Sequence, residues 1–182
     1  MTIGLVAVFF FLYGVMEVAF GTFISVFSVE SKLKFTRPQG SDVTAVFFGT
    51  FAATRGLAIF IAIVAKPGLI MWSSFLTCIV GSVSLSFWAQ SSAAALYIGT
   101  ALMGIGMASI FATGFLWVEQ RMTVTNKVGS VFIIASSAGA DVFPVLVGQL
   151  VETWPMAFIH LTTGIVCGCI LMFGVHLGGQ GG

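Results

Sequence analysis

The sequence predicts an all-α membrane protein with six transmembrane helices, and two observations lead to that fold class. Of the 182 residues, 58% are hydrophobic and 7% are charged, whereas about 25% of a soluble domain is charged. Seven Lys and Arg and six Asp and Glu residues cannot cover a globule of this size with polar surface. The apolar residues also fall into six windows of about 20 residues, the length that crosses a bilayer. We expect one bundle over residues 1–182 and a multi-pass protein of the plasma membrane.

The first three windows are apolar runs that end at polar or turn-forming segments. They occupy residues 3–29, 43–65 and 69–88. The first ends at the polar run 30–42, and the second ends at the turn 66–68, which contains Pro and Gly. Trp72 and Trp88 bracket the third window, as expected where indole rings sit at the level of the lipid headgroups.

The last three windows follow the same pattern. They occupy residues 93–118, 128–151 and 154–175. A charged loop, residues 119–127, separates the fourth from the fifth, and Trp117 and Trp154 stand at window ends. Gly164 and Gly168 are four residues apart, a spacing that lets helix backbones approach closely. We interpret this pair as a helix-packing contact.

Composition and motifs exclude several functions. A net charge of +1 with no basic run gives no footprint for nucleic acid. Cys78, Cys167 and Cys169 all lie in apolar windows, so we interpret them as small packing residues. The sequence contains no Gly-x-Ser-x-Gly elbow and no His-Glu-x-x-His motif. We therefore expect neither an enzyme nor a cofactor, and no structural metal.

Three charged residues stand in the middle of apolar windows: Glu17, Arg55 and Asp141. A charge at the bilayer centre costs roughly 2.5–3.5 kcal/mol, so we expect the three side chains to line a common interior cavity. One Arg neutralises one carboxylate, and the second acid needs a proton or a metal cation such as sodium. Glu17 and Asp141 are therefore both candidates for the residue that binds a coupling cation.

Polar neighbours at helical spacing extend this candidate site. Tyr13 precedes Glu17 by four residues, and Gly14 and Gly21 predict local unwinding where substrate oxygens would bind. Ser137 lies one turn before Asp141 on the same face. The alternatives are that Tyr13 is a buried, hydrogen-bonded hydroxyl and that the charges only fix helix packing.

The two halves of the sequence show a weak internal similarity. Residues 46–47 align with residues 131–132, which places Arg55 one position before Asp141, and Gly14 aligns with Gly106. An odd number of spans per repeat inverts the second copy. This pattern predicts a three-plus-three inverted repeat, an arrangement that secondary transporters use.

Four segments resemble a known family. Residues 104–113, and residues 136–144 with Gly148, are similar to the tenth and eleventh helices of the fucose:proton symporter branch of the major facilitator superfamily. Residues 13–23 resemble its seventh helix, and residues 54–56 stand where its eighth helix carries an Arg. Within that branch, the sequence is most similar to the group of sodium-dependent glucose transporters.

The resemblance implies half of a major facilitator fold, the carboxy-terminal half, with the amino-terminal six helices absent and a cytosolic first terminus. It implies symport of a hexose such as glucose with sodium or a proton through alternating access. The residues expected to contact the sugar are Tyr13, Arg55, Thr113 and Ser137.

In such carriers the loop after the fourth helix is cytosolic, and Glu119 and Arg121 would form a gate latch. Expected partners are the sugar, the lipid bilayer, and either the absent six-helix half or a second copy of the chain. The alternatives are a non-transporting membrane scaffold and a six-span protein that pairs with itself.

Overall fold

The computed structural model describes residues 3–120, 125–153 and 155–178, and side chains are described outside 142–155 and 175–178. All regular structure in this part of the chain is α-helical. The helices are α1 (Ile3–Glu30), α2 (Arg37–Val64), α3 (Pro67–Trp88), α4 (Ala93–Glu119), α5 (Asn126–Thr153) and α6 (Pro155–Gly178).

Three helices begin at residues that suit a helix start. Thr36 caps α2, and its side chain and that of Gln39 satisfy each other's backbone N–H groups in a capping box. Pro67 is the first residue of α3, where its missing N–H costs nothing. Ser92 caps α4 by accepting from the Ala95 N–H.

Five helices of the described part are long and apolar enough to cross a membrane. They are α1, α2, α3, α4 and residues 156–174 of α6. The side chains of α5 after Asp141 lie outside the described residues, so the sixth span stays a prediction, as does the inverted repeat.

The core forms around α1 and α4, the helices with the largest buried share. α1 packs against α5, α2 and α6, whereas α4 packs against α3 and α2. Phenylalanine rings fill the interior: Phe10, Phe20, Phe47, Phe75, Phe132 and Phe158 are all fully buried. Several of these rings also make edge-to-face contacts with neighbouring rings, an arrangement that aromatic quadrupoles favour.

One glycine interpretation from the sequence is wrong, and another stays a prediction. Gly14 does not interrupt α1, which is helical from Ile3 to Glu30; instead it lies against the Ser136 backbone of α5. At Gly164 and Gly168 no described atom lies within 4 Å of the position that a Cβ would take, and because the side chains of 142–155 lie outside the described residues, a packing contact there stays a prediction. Glycine spacing alone does not indicate which face of a helix meets a neighbour.

The tryptophans differ in exposure. Trp72 and Trp88 are exposed at the ends of α3, as predicted for an interfacial position. Trp117 is buried and packs against the Phe173 ring of α6 with ring centroids 5.0 Å apart, so it is a packing residue. Trp154 lies outside the described residues.

Candidate functional site

Helix contacts fix the depths of the three charged residues. α1 and α5 run in the same direction, because Phe10 packs on Phe132 and Val15 lies beside Gly139. Asp141, two residues after Gly139, is therefore near the depth of Glu17.

α1 and α2 run in opposite directions, since Phe20 packs on Phe47 and Gly40 lies beside Ser25. The backbone of Arg55, eight residues after Phe47, is therefore at the depth of Tyr13, about one helical turn closer to the start of α1 than Glu17.

The Arg55 side chain is long enough to span that difference of one turn. Its Cζ atom lies 5.3 Å from the centroid of the Phe51 ring, four residues earlier on the same helix. The side chain thus points toward the start of α2, as helical side chains generally do. One turn is about 5.4 Å, so the guanidinium reaches the depth of the two carboxylates.

The three charges do not meet inside one chain. Arg55 and Asp141 are exposed on α2 and α5, and Glu17 is half-buried on α1. α1 packs against both other helices and keeps them apart, so no ion pair joins the three residues in the described part of the chain. The common cavity predicted from the sequence is therefore not enclosed by this bundle alone.

The charges instead occupy a set of positions on α1, α2 and α5 that the bundle leaves exposed or half-exposed. We call it the charged face: Glu17, Val18 and Thr22 of α1, Arg55 of α2, and Ser137 and Asp141 of α5. Val18 and Thr22 are exposed on α1, and Ser137 is exposed one turn from Asp141 on α5. The predicted pairing of Ser137 with Asp141 on one face is thus present in the structure.

Tyr13 and Thr113, both predicted to contact sugar, lie inside the bundle. The Tyr13 side chain is only 1% exposed, and its hydroxyl donates to the Met107 carbonyl oxygen of α4 at 3.2 Å. Tyr13 precedes Glu17 by one turn of α1, which places it beneath the charged face. Thr113 is buried on α4.

The predicted gate residues are described only in part. Glu119 is exposed at the last residue of α4, whereas Arg121 lies outside the described residues, so their contact stays a prediction.

Two site features were not predicted. Phe51 holds the Arg55 side chain, and its position four residues earlier was a usable signal, because cations and aromatic rings interact at this spacing on helices. The Met107 carbonyl oxygen accepts a hydrogen bond from the Tyr13 hydroxyl. No sequence pattern predicts this acceptor, because any helix carbonyl can accept such a bond.

The oxygen atoms available at the charged face suit a small hard cation better than a transition metal. Among the described residues, no group of three His, Cys, Asp and Glu side chains comes together. A cation bound here would take its ligands from one or two carboxylates together with hydroxyls, carbonyls and water, the oxygen donors that hard cations prefer.

No family model matches the chain, but individual proteins do. Over 151 residues it is 33% identical to sodium-dependent glucose transporter 1 of Xenopus laevis, covering 83% of this chain and 30% of the relative. The zebrafish protein of that name, from Danio rerio, is 36% identical over 149 residues, 80% of this chain and 25% of the relative. Major facilitator superfamily domain-containing protein 4A of Homo sapiens is 22% identical over 152 residues, 84% of this chain and 29% of the relative.

The chain is similar to part of these transporters. It spans less than a third of the length of each of these three relatives. The relatives are named as transporters or as major facilitator proteins, not as enzymes, which confirms the prediction of a non-enzymatic chain without a cofactor. Together with the five long apolar helices, they also confirm a multi-pass membrane protein.

Proposed function

We propose that this chain is a six-helix half of a secondary carrier of the fucose:proton symporter branch, which moves a glucose-like hexose together with sodium or a proton. The observation that carries the proposal is the charged face, where two carboxylates and one guanidinium share a depth inside the apolar span. Such charges in a membrane mark ion and substrate pathways. Similarity to proteins named sodium-dependent glucose transporter 1 supports the substrate class and favours sodium.

In this proposal each residue has a role that follows from its functional group. The Arg55 guanidinium donates to sugar hydroxyls and holds one acid, and Ser137 offers a hydroxyl beside it. The carboxylate of Glu17 or of Asp141 binds the coupling cation. Tyr13 and Thr113 contribute from beneath the face, and Tyr13 reaches the sugar by exchanging the Met107 carbonyl for a substrate oxygen.

Transport also requires a second bundle over the charged face. With such a bundle in place, the face lines a vestibule at the midplane, and rigid-body rocking of the two bundles opens it to each side in turn. The second bundle is either an amino-terminal six-helix half or another copy of this chain. Glu119 and Arg121 then act as a latch at the cytosolic edge.

Uptake of labelled glucose into proteoliposomes tests the proposal. The protein is this chain, or a longer protein that contains it, assayed with and without an inward sodium gradient and an inward proton gradient. We expect Glu17→Gln or Asp141→Asn to abolish the part of uptake that the gradient stimulates. The matched control is Glu30→Gln, which removes an exposed carboxylate at the end of α1 and leaves that part intact. Unchanged coupled uptake in both acid variants contradicts the proposal.

A further inference from the structure

One stripe of α1 meets two different helices, and Glu17 lies between the two contacts. Gly14 lies against the Ser136 backbone of α5. A Cβ atom at Gly21 would lie 2.7 Å from the Phe48 ring of α2. Glu17 follows Gly14 by three residues and precedes Gly21 by four, so the three positions share one face of the helix. The half-buried Glu17 side chain therefore stands at an opening, where α5 covers the stripe before it and α2 covers the stripe after it.

Arg55 lies on the side of α2 that meets α1. Phe48, which contacts the Gly21 position, precedes Phe51 by three residues and Arg55 by seven, and this spacing places all three on one face. Because α1 and α2 are antiparallel, α2 reaches the depth of Glu17 about one turn after Phe48. The Arg55 guanidinium is held at that depth, since its Cζ atom lies 5.3 Å from the centroid of the Phe51 ring. Glu17 and Arg55 thus present opposite charges to the same opening.

Asp141 does not face this opening. Gly139 of α5 lies against the Phe11 carbonyl group of α1, and Asp141 comes two residues later, about 200° round the helix. Glu17 is therefore the acid that shares its surroundings with Arg55. Within the described part of the chain no ion pair joins these two side chains, and the guanidinium rests on an aromatic ring instead.

A carboxylate and a guanidinium that face one opening without touching suit a ligand that both donates and accepts hydrogen bonds. We propose that Glu17 and Arg55 bind one hexose between them, with the Glu17 carboxylate accepting from one hydroxyl and the Arg55 guanidinium donating to a neighbouring one. Adjacent sugar hydroxyls offer a donor and an acceptor side by side, and hydrogen bonds to charged groups are the stronger kind. This inference rests on the proposed transport of a hexose, and it makes Glu17 a determinant of sugar affinity.

The guanidinium also distinguishes the two candidate acids. A sodium ion bound at Glu17 would lie near the positive charge of Arg55, and like charges repel more strongly inside a membrane protein than in water because the dielectric constant is lower. A bound proton would likewise remove the negative charge that faces Arg55. A neutral sugar does neither. On the proposed transport function, the coupling cation is therefore assigned to Asp141.

Uptake kinetics of glucose analogues test the contact with sugar. We expect Glu17→Gln to raise the KM for glucose about tenfold, the effect of losing one hydrogen bond to a charged group, and to change the maximal rate less. The deoxyglucose that lacks the hydroxyl bound by Glu17 should have nearly the same KM with wild type and with Glu17→Gln, whereas the other deoxyglucoses should repeat the tenfold rise. A merely structural role would affect all analogues alike. Glu30→Gln, at the exposed end of α1, should leave every KM unchanged.

The response to the cation tests the assignment of the two acids. At saturating glucose, the sodium or proton concentration that gives half-maximal stimulation should be the same for Glu17→Gln and for wild type. Asp141→Asn should lose the stimulation. A shift of this concentration in Glu17→Gln would overturn the inference, because it would place the cation at Glu17.

Cross-linking tests the shared opening without any transport assay. In a background with all three cysteines replaced, the pair Glu17→Cys and Arg55→Cys is treated with a bifunctional thiol reagent that spans about 8–10 Å, the usual distance between packed helices, and the digested chain is analysed by mass spectrometry. We expect an intramolecular cross-link. We expect none when Leu57→Cys replaces Arg55→Cys, because Leu57 is 60% exposed and lies about 200° further round α2.

The outcomes separate this inference from the proposed function. A protein that transports glucose but shows no cross-link between positions 17 and 55, or an unchanged KM in Glu17→Gln, would overturn the inference and leave the transport function in place. A wild-type protein that takes up no hexose would overturn both, and a cross-link in that protein would still show that Glu17 and Arg55 face each other.

Discussion

Gly14 and Gly139 let the backbones of α1 and α5 touch just below the charged face. A Cβ atom at Gly14 would overlap the Ser136 carbonyl oxygen, and one at Gly139 would overlap the Phe11 carbonyl oxygen. Neither obstacle is a flexible side chain, so a methyl group could be accommodated only by separating the helices. The close contact of these two helices sets the distance of Asp141 from Glu17.

Replacing Gly14 by Ala therefore should loosen the bundle. We expect Gly14→Ala to lower the free energy of unfolding by about 1–3 kcal/mol, the usual cost of overpacking, measured as a lower midpoint of unfolding in detergent. Gly164→Ala is the matched control, since no described atom lies within 4 Å of its Cβ position. It should be neutral or slightly stabilising, because Ala suits a helix better than Gly. Equal midpoints for the two variants would show that the α1–α5 contact is not tight.

Single residues also show how much of the site the sequence predicts. Glu17, Arg55 and Asp141 could be identified without a structure, because each is a charge in an apolar run. Their depth followed from counting residues, and the helix contacts place them within one turn of each other. Their orientation could not be predicted, since a charge in the middle of a helix carries no information about which neighbour it faces.

At the scale of helices, α1 and α4 are held together beneath the charged face by one polar contact. The Tyr13 hydroxyl donates across 94 residues of sequence to the Met107 carbonyl oxygen, and the contact is buried. A buried hydroxyl without a partner is costly, so this bond favours one placement of α1 on α4. It keeps Tyr13 beside Glu17 until another acceptor replaces the carbonyl.

Removing that hydroxyl should weaken the α1–α4 contact without changing its shape. We expect Tyr13→Phe to lower the free energy of unfolding by about 1 kcal/mol, the net worth of one hydrogen bond, measured by unfolding in detergent. The control is Tyr97→Phe, because Tyr97 stacks on Phe35 through its ring and is half-buried. A larger loss for Tyr97→Phe than for Tyr13→Phe would contradict a structural role for the Tyr13 hydroxyl.

The start of α2 illustrates what a hydropathy window detects and what it misses. The apolar window begins at residue 43, but the helix begins at Arg37, capped by Thr36 and Gln39. The first turn is polar because it projects beyond the apolar span, so a window on hydropathy does not register it. The signal that would have found it is the capping box, a Thr followed three residues later by Gln.

At the scale of the whole molecule, composition determined the fold class but could not determine the neighbours of each helix. α1 and α4 are apolar on all sides, so no hydrophobic stripe separates the protein-facing side from the lipid-facing side. In water such a stripe is the main signal for packing. In lipid the interior and the exterior are equally apolar, and small residues and charges carry the remaining information.

Alternation of the loops across the membrane tests the six-span architecture, including α5, as a whole. In a background with all three cysteines replaced, single cysteines are introduced as Lys34→Cys, Lys66→Cys, Lys127→Cys and Glu152→Cys, and labelled with a membrane-impermeant maleimide from one side of sealed vesicles. If all six helices cross, Lys66→Cys and Lys127→Cys react from one side, and Lys34→Cys and Glu152→Cys react from the other. The physical reason is that each helix of this length and apolarity places its two ends in opposite aqueous phases.

The pair that decides the result is Lys127→Cys and Glu152→Cys, at the two ends of α5. Asp141 stands between them, and its depth in the membrane is the premise of the proposed vestibule. Labelling of both cysteines from the same side would mean that α5 does not cross. Asp141 would then lie at a water interface, where a lone carboxylate is solvated and needs no coupling cation.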